Sequence, residues 1–217
     1  MPFFRIFLKN NDFNDLNGAM THHNTNETIA IVLSVFRERG HEEYHGEPVS
    51  QLEHAVQTAE LAQRGHPNDP EFILAAFLHD FGHLCGSVFG DDTMDGYGIV
   101  QHEIVGAQVI RRLGFSEKIH RLIAGHVQAK RYLVSTDPAY YAALSEASKI
   151  TLEKQGGLLS SEEQKDFEQD PLFELHISLR RLDEQAKLTG QPMTDLSWLE
   201  NLMREHLTRI CPKPSFP

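Results

Sequence analysis

Residues 75–83 read AAFLHDFGH, a wall of alanine, phenylalanine and leucine into which His79, Asp80 and His83 are set. An unpaired carboxylate in such surroundings costs roughly several kcal/mol, so the fold must bring something to Asp80 that compensates its charge. With 217 residues and 40% hydrophobic content, the chain has material for one sizeable core, and a single domain is expected. The net charge of -11 argues against a nucleic-acid-binding surface but leaves room for a small basic pocket that receives an anion. A small-molecule partner is therefore expected. The two cysteines, Cys85 and Cys211, imply no disulfide framework and fit a reducing cytoplasm. No apolar run approaches the roughly 20 residues that span a bilayer. The opening MPFFRIFLKN also lacks the hydrophobic region and cleavage site of a secretory signal.

Apolar spacing is helical along nearly the whole chain. IAIVLSVF follows a capping region at Thr25/Asn26 and predicts a helix that ends at Gly40. Pro48 suits the first turn of a helix reaching about Arg64, and Pro70 opens another that ends near Gly82. A Gly- and Asp-rich loop, GSVFGDDTMDGYG, follows. Further helices are predicted near 99–113, 116–126, 138–154, 161–187 with a break, and 193–209. No alternating run makes a strand, so the fold class is all-α. Residues 1–25 are expected to be a flexible N-terminal extension, with Met20 opening a polar run that reads as a start; 26–210 form one domain and 211–217 a tail.

Several inward-facing ligand-type residues accompany Asp80. His54 lies beside the apolar stripe of Leu52, Ala55, Val56, Ala59, Leu61 and Ala62; His102 and His126 lie close to comparable stripes, and Asp183 follows Leu179 by four residues. Any one of these histidines alone reads as a hydrogen-bonded core residue. Together they place several histidines and two carboxylates in one interior, which is electrostatically costly without a cation. Imidazole mixed with carboxylate suits zinc, iron or manganese better than magnesium or calcium. His22, His23, His41, His66, His120, His176 and His206 read as surface residues.

The order His54, then His79-Asp80, then a late Asp183 resembles the metal-binding pattern of the HD-domain superfamily, named for its adjacent His-Asp pair. His102 and His126 between them resemble the insertion that makes the site dinuclear in some members. The resemblance extends to the mixed-valent diiron oxygenases, relatives of myo-inositol oxygenase, and most closely to the bacterial enzymes that cleave carbon–phosphorus bonds. It is carried by EYHGEPVSQLEH, AAFLHDFGH, YGIVQHEIVGAQVIRRLGFSEKI, GHVQAKRYLVS, LSEASKITLEKQGG and RRLDEQAK.

This resemblance implies an HD-domain helical bundle with a buried dinuclear metal site. His54, His79, Asp80 and Asp183 would bind one iron, and Asp80, His102 and His126 the other. The cofactors would be an Fe(II)/Fe(III) pair, with O2 as co-substrate and no catalytic residue beyond the metal centre. His83, Lys130, Ser148 and Arg180 would contact a phosphonate. Tyr44 and Glu47 would occupy the open site and rearrange when substrate enters, with Gly46 giving their loop freedom and Glu47 pairing with a cationic nitrogen. Tyr44 and Tyr97 permit cation–π contact. Gln51, one turn before His54, is a candidate outer hydrogen-bonding group. The implied reaction is oxidative cleavage of a 1-hydroxy-2-(amino or trimethylammonio)ethylphosphonate, releasing phosphate and glycine or glycine betaine. The protein is expected to be a monomer or homo-oligomer. An HD phosphohydrolase acting on a nucleotide or small phosphoester would use the same His54, His79, Asp80 and Asp183, and a noncatalytic ligand-sensing module is a third reading.

Overall fold

The computed structural model describes residues 24–44, 46–85, 101–192 and 195–210. Those residues form eleven helices, and the pairing among them besides helix is a lone antiparallel bridge between Glu43 and Ser50. The all-α expectation holds. Residues 1–23, the loop at 86–98 with its Tyr97, and the tail at 211–217 lie outside the described residues. None of the described helices is long and apolar enough to cross a membrane.

Caps explain most boundaries. Helix α1 (Thr25–Arg39) starts where the Asn24 side chain accepts the Glu27 amide, so the cap sits just before the expected Thr25/Asn26. Helix α2 (Gln51–Gly65) starts from a reciprocal capping box of Ser50 and Glu53. That box satisfies amides at the helix start, and it leaves Pro48 outside the helix instead of in its first turn. Helix α3 (Pro70–Leu78) has Asp69 as cap and Pro70 in its first turn, as expected. It stops before Gly82: His79 and Asp80 form a turn, and a short helix α4 (Phe81–Cys85) follows.

Helix α5 (His102–Arg112) leads into α6 (Glu117–Thr136), which runs past the expected end at 126 because no Gly or Pro interrupts residues 127–136. The helix expected at 138–154 is two, α7 (Pro138–Ala143) and α8 (Glu146–Lys154). Leu144 is extended between them, and Ser145 caps α8 by accepting the Ser148 amide at 3.1 Å. The expected break within 161–187 falls at Asp170-Pro171, between α9 (Ser161–Glu168) and α10 (Phe173–Gln185). The last helix is α11 (Ser197–Ile210).

Helix α3 is the centre of the domain. Every residue from Phe72 to Leu78 is buried, and α3 packs against α2, α6, α10 and α11. Phe77 stacks on Phe36 of α1 at 4.5 Å between ring centroids. Each such side chain contributes about 2–3 kcal/mol of burial, which holds the helix in place. The chain leaving α3 is therefore already inside the molecule when it reaches His79 and Asp80. At the far side of that turn, Gly82 of α4 lies against the backbone of α5 at His102 and Gly106.

Candidate metal centre

Four secondary-structure elements deliver side chains to the His79-Asp80 turn. His54 comes from α2, His102 opens α5, His126 comes from α6 and Asp183 from α10; all are buried. The six residues expected as ligands converge. His54 Nε2 lies 3.1 Å from His79 Nε2, and His102 Nε2 lies 3.0 Å from His126 Nε2. Asp80 joins the two pairs: its Oδ2 is 3.3 Å from His79 Nε2 and 3.7 Å from His54 Nε2, while its Oδ1 is 3.2 Å from His102 Nε2 and 3.3 Å from His126 Nε2.

The tautomers decide what these contacts mean. His54 Nδ1 faces the Ala186 carbonyl at 2.9 Å, His79 Nδ1 faces the Ala76 carbonyl at 2.8 Å, and His126 Nδ1 faces the Ile123 carbonyl at 2.7 Å. A carbonyl only accepts, so each of these three rings carries its proton on Nδ1 and, when neutral, turns a lone pair at Nε2 inward. Ring-to-carbonyl bonds of this kind are the ones that orient metal-ligating histidines. Asp183 repeats the pattern. Arg180 pairs with its Oδ2, whereas Oδ1, 3.3 Å from His54 Nε2, has no hydrogen-bond donor among the described residues. Lone pairs of His54, His79 and Asp183 thus meet with too few protons between them, and Asp80, His102 and His126 form a second such cluster beside it. This donor set fits cations.

Electrostatics agree with the geometry. Burial on its own would raise Asp80, but the charge on His79 beside it holds its carboxyl well below the usual range. Burial likewise opposes ionisation of Asp183, and Arg180 beside it reverses the sign. Burial disfavours a charged His79, yet Asp80 and Asp183 raise it to about 9, so in the absence of an ion a proton takes that place. Burial lowers His126 and keeps its ring neutral.

The cluster forms one end of a cavity that Tyr44, Glu47, His83, Lys130, Ser148, Arg180 and Lys187 help to line. All six residues expected at the substrate face this space. Tyr44 stacks on the His54 ring at 4.0 Å, and burial, with Asp183 and Asp80 adding to it, pushes its phenol well above the usual value. The hydroxyl therefore keeps its proton beside these carboxylates. Gly46 takes φ +79, which closes the 44–49 segment into a turn tied by the Tyr44 amide to the Val49 carbonyl at 2.9 Å. Glu47 at that turn pairs with Lys187 at 2.9 Å. His83 stacks on His102 at 3.9 Å, and its ring is close enough to Asp80 to form part of the second donor cluster as well as the cavity wall.

Lys130, one helical turn beyond His126, is buried and donates to Thr151 Oγ1 at 2.7 Å and Gln155 Oε1 at 2.8 Å. Both acceptors are neutral. Burial, with Arg180 adding to it, pulls the Lys130 ammonium well below its usual pKa, and no carboxylate among the described residues forms an ion pair with it. The cavity thus sets a cluster of possible metal ligands beside the buried side chains of Lys130 and Arg180.

Three expectations need correction. Gln51 turns its amide to the Glu43 carbonyl at 3.5 Å and takes no part in orienting His54, whose Nδ1 partner is Ala186. His176 and His206 are buried, not on the surface. His176 precedes Arg180 by four residues and Asp183 by seven, so the same face of α10 holds all three, and its ring occupies the space that a side chain at Gly125 would fill. His206 shares its helix face with Leu199 and Met203. His66 is partly buried, bonded to Ser178 Oγ at 2.9 Å. His120 is half-buried, while His41 is exposed as expected; His22 and His23 lie outside the described residues. The sequence reading also missed Lys187, Glu184, Thr151 and Gln155, all polar residues one or two helical turns from residues it had singled out.

Comparison with known proteins agrees with this architecture. The family model described as the HD domain matches residues 51–156, which contain the first five of the six converging residues. Over 96% of its length the chain is 39% identical to an uncharacterized protein of Acanthamoeba polyphaga mimivirus, covering 97% of that protein. The chain belongs to the HD-domain family. Its relatives include the glycine-betaine-forming 1-hydroxy-2-(trimethylamino)ethylphosphonate dioxygenase of Leisingera caerulea, 43% identical over 79% of this chain and 86% of that one. The hydroxymethylphosphonate dioxygenase of Gimesia maris is 38% identical over 78% of this chain and 83% of that one.

Proposed function

We propose that this protein is a dinuclear iron oxygenase that cleaves the carbon–phosphorus bond of a small 1-hydroxyphosphonate, such as a 1-hydroxy-2-(amino or trimethylammonio)ethylphosphonate, releasing phosphate and a carboxylic acid. The observation that carries this reading is the division of Asp80, one oxygen toward each histidine pair, beside a buried lysine whose hydrogen-bond partners among the described residues are neutral. His54, His79 and Asp183 would hold one iron, His102 and His126 the other, and Asp80 would bridge them. Bound there, an Fe(II)/Fe(III) pair would supply the redox chemistry with dioxygen. The reaction RCH(OH)PO3 plus O2 to RCOOH plus phosphate balances without an external reductant. The chain's own part is to bind and orient. Lys130, Ser148 and His83 would receive the phosphonate, the Tyr44 hydroxyl would keep its proton beside Asp80 until substrate displaces it, and the buried walls would exclude water. The similarity to two enzymes named as phosphonate dioxygenases supports the same class.

The experiment is aerobic incubation of iron-loaded protein with hydroxymethylphosphonate and with the primary-amine and trimethylated 1-hydroxyethylphosphonates, following phosphate release and oxygen uptake together. Equal amounts of phosphate and oxygen are expected, with no phosphate under nitrogen. Phosphate release that persists under nitrogen would instead make the protein a hydrolase. The Lys130→Met variant, which keeps the aliphatic stem, is expected to weaken inhibition by inorganic phosphate by about 10–100-fold, the range for loss of a charge-assisted contact, with iron content unchanged. Unaltered phosphate inhibition would remove Lys130 from the anion wall.

A further inference from the structure

One wall of the cavity carries a chain of alternating charges. Lys187 Nζ lies 2.9 Å from Glu47 Oε1 and 3.3 Å from Glu184 Oε2, and Glu184 also pairs with Arg180 and accepts from Ser148 Oγ at 3.4 Å. The Lys187, Glu47 and Glu184 side chains are only 13%, 11% and 17% exposed, so solvent screens these charges weakly.

The backbone that presents Lys187 is pinned on both sides. It lies just beyond α10, between Ala186, whose carbonyl accepts the His54 ring, and Leu188, whose amide and carbonyl are both bonded to the Gln57 side chain at 3.0 and 2.9 Å. Helix α2 thus fixes the residue, and only the flexible stem of the lysine is free to choose a partner. Two carboxylates are within its reach. An incoming cation can take Glu47 while Lys187 keeps Glu184.

We propose that Lys187 is the selectivity residue of the cavity, a built-in ammonium that already neutralises Glu47. The proposal rests on reading this cavity as a hydroxyphosphonate site. A hydroxyphosphonate without a cationic nitrogen meets a wall whose charge is balanced. An aminated one has to push Lys187 off Glu47 and then share the wall with it, so Lys187 biases the protein toward the substrate that has no cationic group. The two dioxygenases to which the chain is similar are named for substrates that differ at this end, one with a trimethylamino group and one without. Glu47 alone cannot make that choice, because its charge is answered from within the chain.

Two phosphonates that lack the reactive hydroxyl, 2-aminoethylphosphonate and ethylphosphonate, differ in the ammonium alone, and calorimetric titration of each into the iron-loaded full chain gives a ratio of Kd values independent of turnover. Lys187→Met is expected to shift that ratio at least about tenfold toward the aminated ligand, since Glu47 is then left without its partner. Lys187→Arg, which restores the charge, is expected to return it to the wild-type value. Glu47→Gln in the presence of Lys187 is expected to shift it the other way. A ratio that stays within about twofold in Lys187→Met and Glu47→Gln, both of which would still bind ethylphosphonate, overturns the proposal and makes the ion pair purely structural. Should Lys187→Met fail to fold, the Glu47→Gln ratio decides alone. A wild-type protein that binds neither phosphonate at millimolar concentration overturns the hydroxyphosphonate reading itself, and this inference with it.

Discussion

Asp80→Asn is expected to leave the protein folded but unable to hold two ions, and to lower oxygen-dependent phosphate release by about a thousandfold or more. The reason is the division of labour between the two carboxylate oxygens, one facing His102 and His126 at 3.2 and 3.3 Å, the other facing His79 and His54 at 3.3 and 3.7 Å. Asparagine keeps one of those acceptors and replaces the other with an NH2 group, which cannot ligate a cation and adds no negative charge to hold it. Loss of an outer partner of a metal ligand costs roughly 10–100-fold, and loss of the bridge between two ions should exceed that. The fold should survive, because Asp80 contributes little to the apolar core while its neighbours Leu78 and Phe81 are fully buried in it. Metal analysis of the purified variant, alongside oxygen uptake, checks both halves. Two irons per chain with normal uptake would show that Asp80 is not a bridge.

How much of this was legible in the sequence depends on how local the cause is. Helix α3 could be read outright, because Asp69, Pro70 and the apolar run after them are contiguous. The start of α2 was misplaced because Pro48 and Ser50 both signal a helix start, and the reciprocal Ser50/Glu53 box is satisfied only when the helix begins after Ser50. His54, His102 and His126 were readable as inward from their own stripes. Asp183 joined them by its spacing from Leu179, but nothing in ISLRRLDEQAKL says that Arg180 occupies one oxygen and, among the described residues, leaves the other without a donor. The periodicity that puts Arg180 and Asp183 on one face also applies to His176, which reads as a surface histidine until four and seven residues are counted along α10. Lys187 and Glu184 were out of reach for a different reason. Their partnership with Glu47 joins residues 140 positions apart, and charge balance across a cavity has no signature in spacing.

Glycines supply the other half of what spacing leaves unsaid. Gly82 sits in the quoted motif between Asp80 and His83, and a Cβ added there would meet the His102 carbonyl oxygen at 1.9 Å and the Gly106 amide nitrogen at 2.9 Å. Both are backbone atoms, so no rotamer change relieves the contact, and α5 has to retreat from α4 at the very residue that supplies a ring to the second donor cluster. Gly82→Ala is accordingly expected to cost about 3 kcal/mol, the upper part of the usual overpacking range, which for a domain of this size lowers Tm by about 6–12 °C. It is also expected to displace His102 from Asp80, so that iron content falls from two per chain toward one while the group of His54, His79 and Asp183 keeps its ion. Gly65→Ala is the matched control, since nothing lies within 4 Å of a Cβ at that helix end. Its Tm should stay within about 2 °C of the parent, as for an alanine that fits its site without strain. Calorimetry and metal analysis of the two variants side by side separate the outcomes. If Gly82→Ala behaves like Gly65→Ala in both, the close approach of α4 and α5 is not what holds the second half of the centre together.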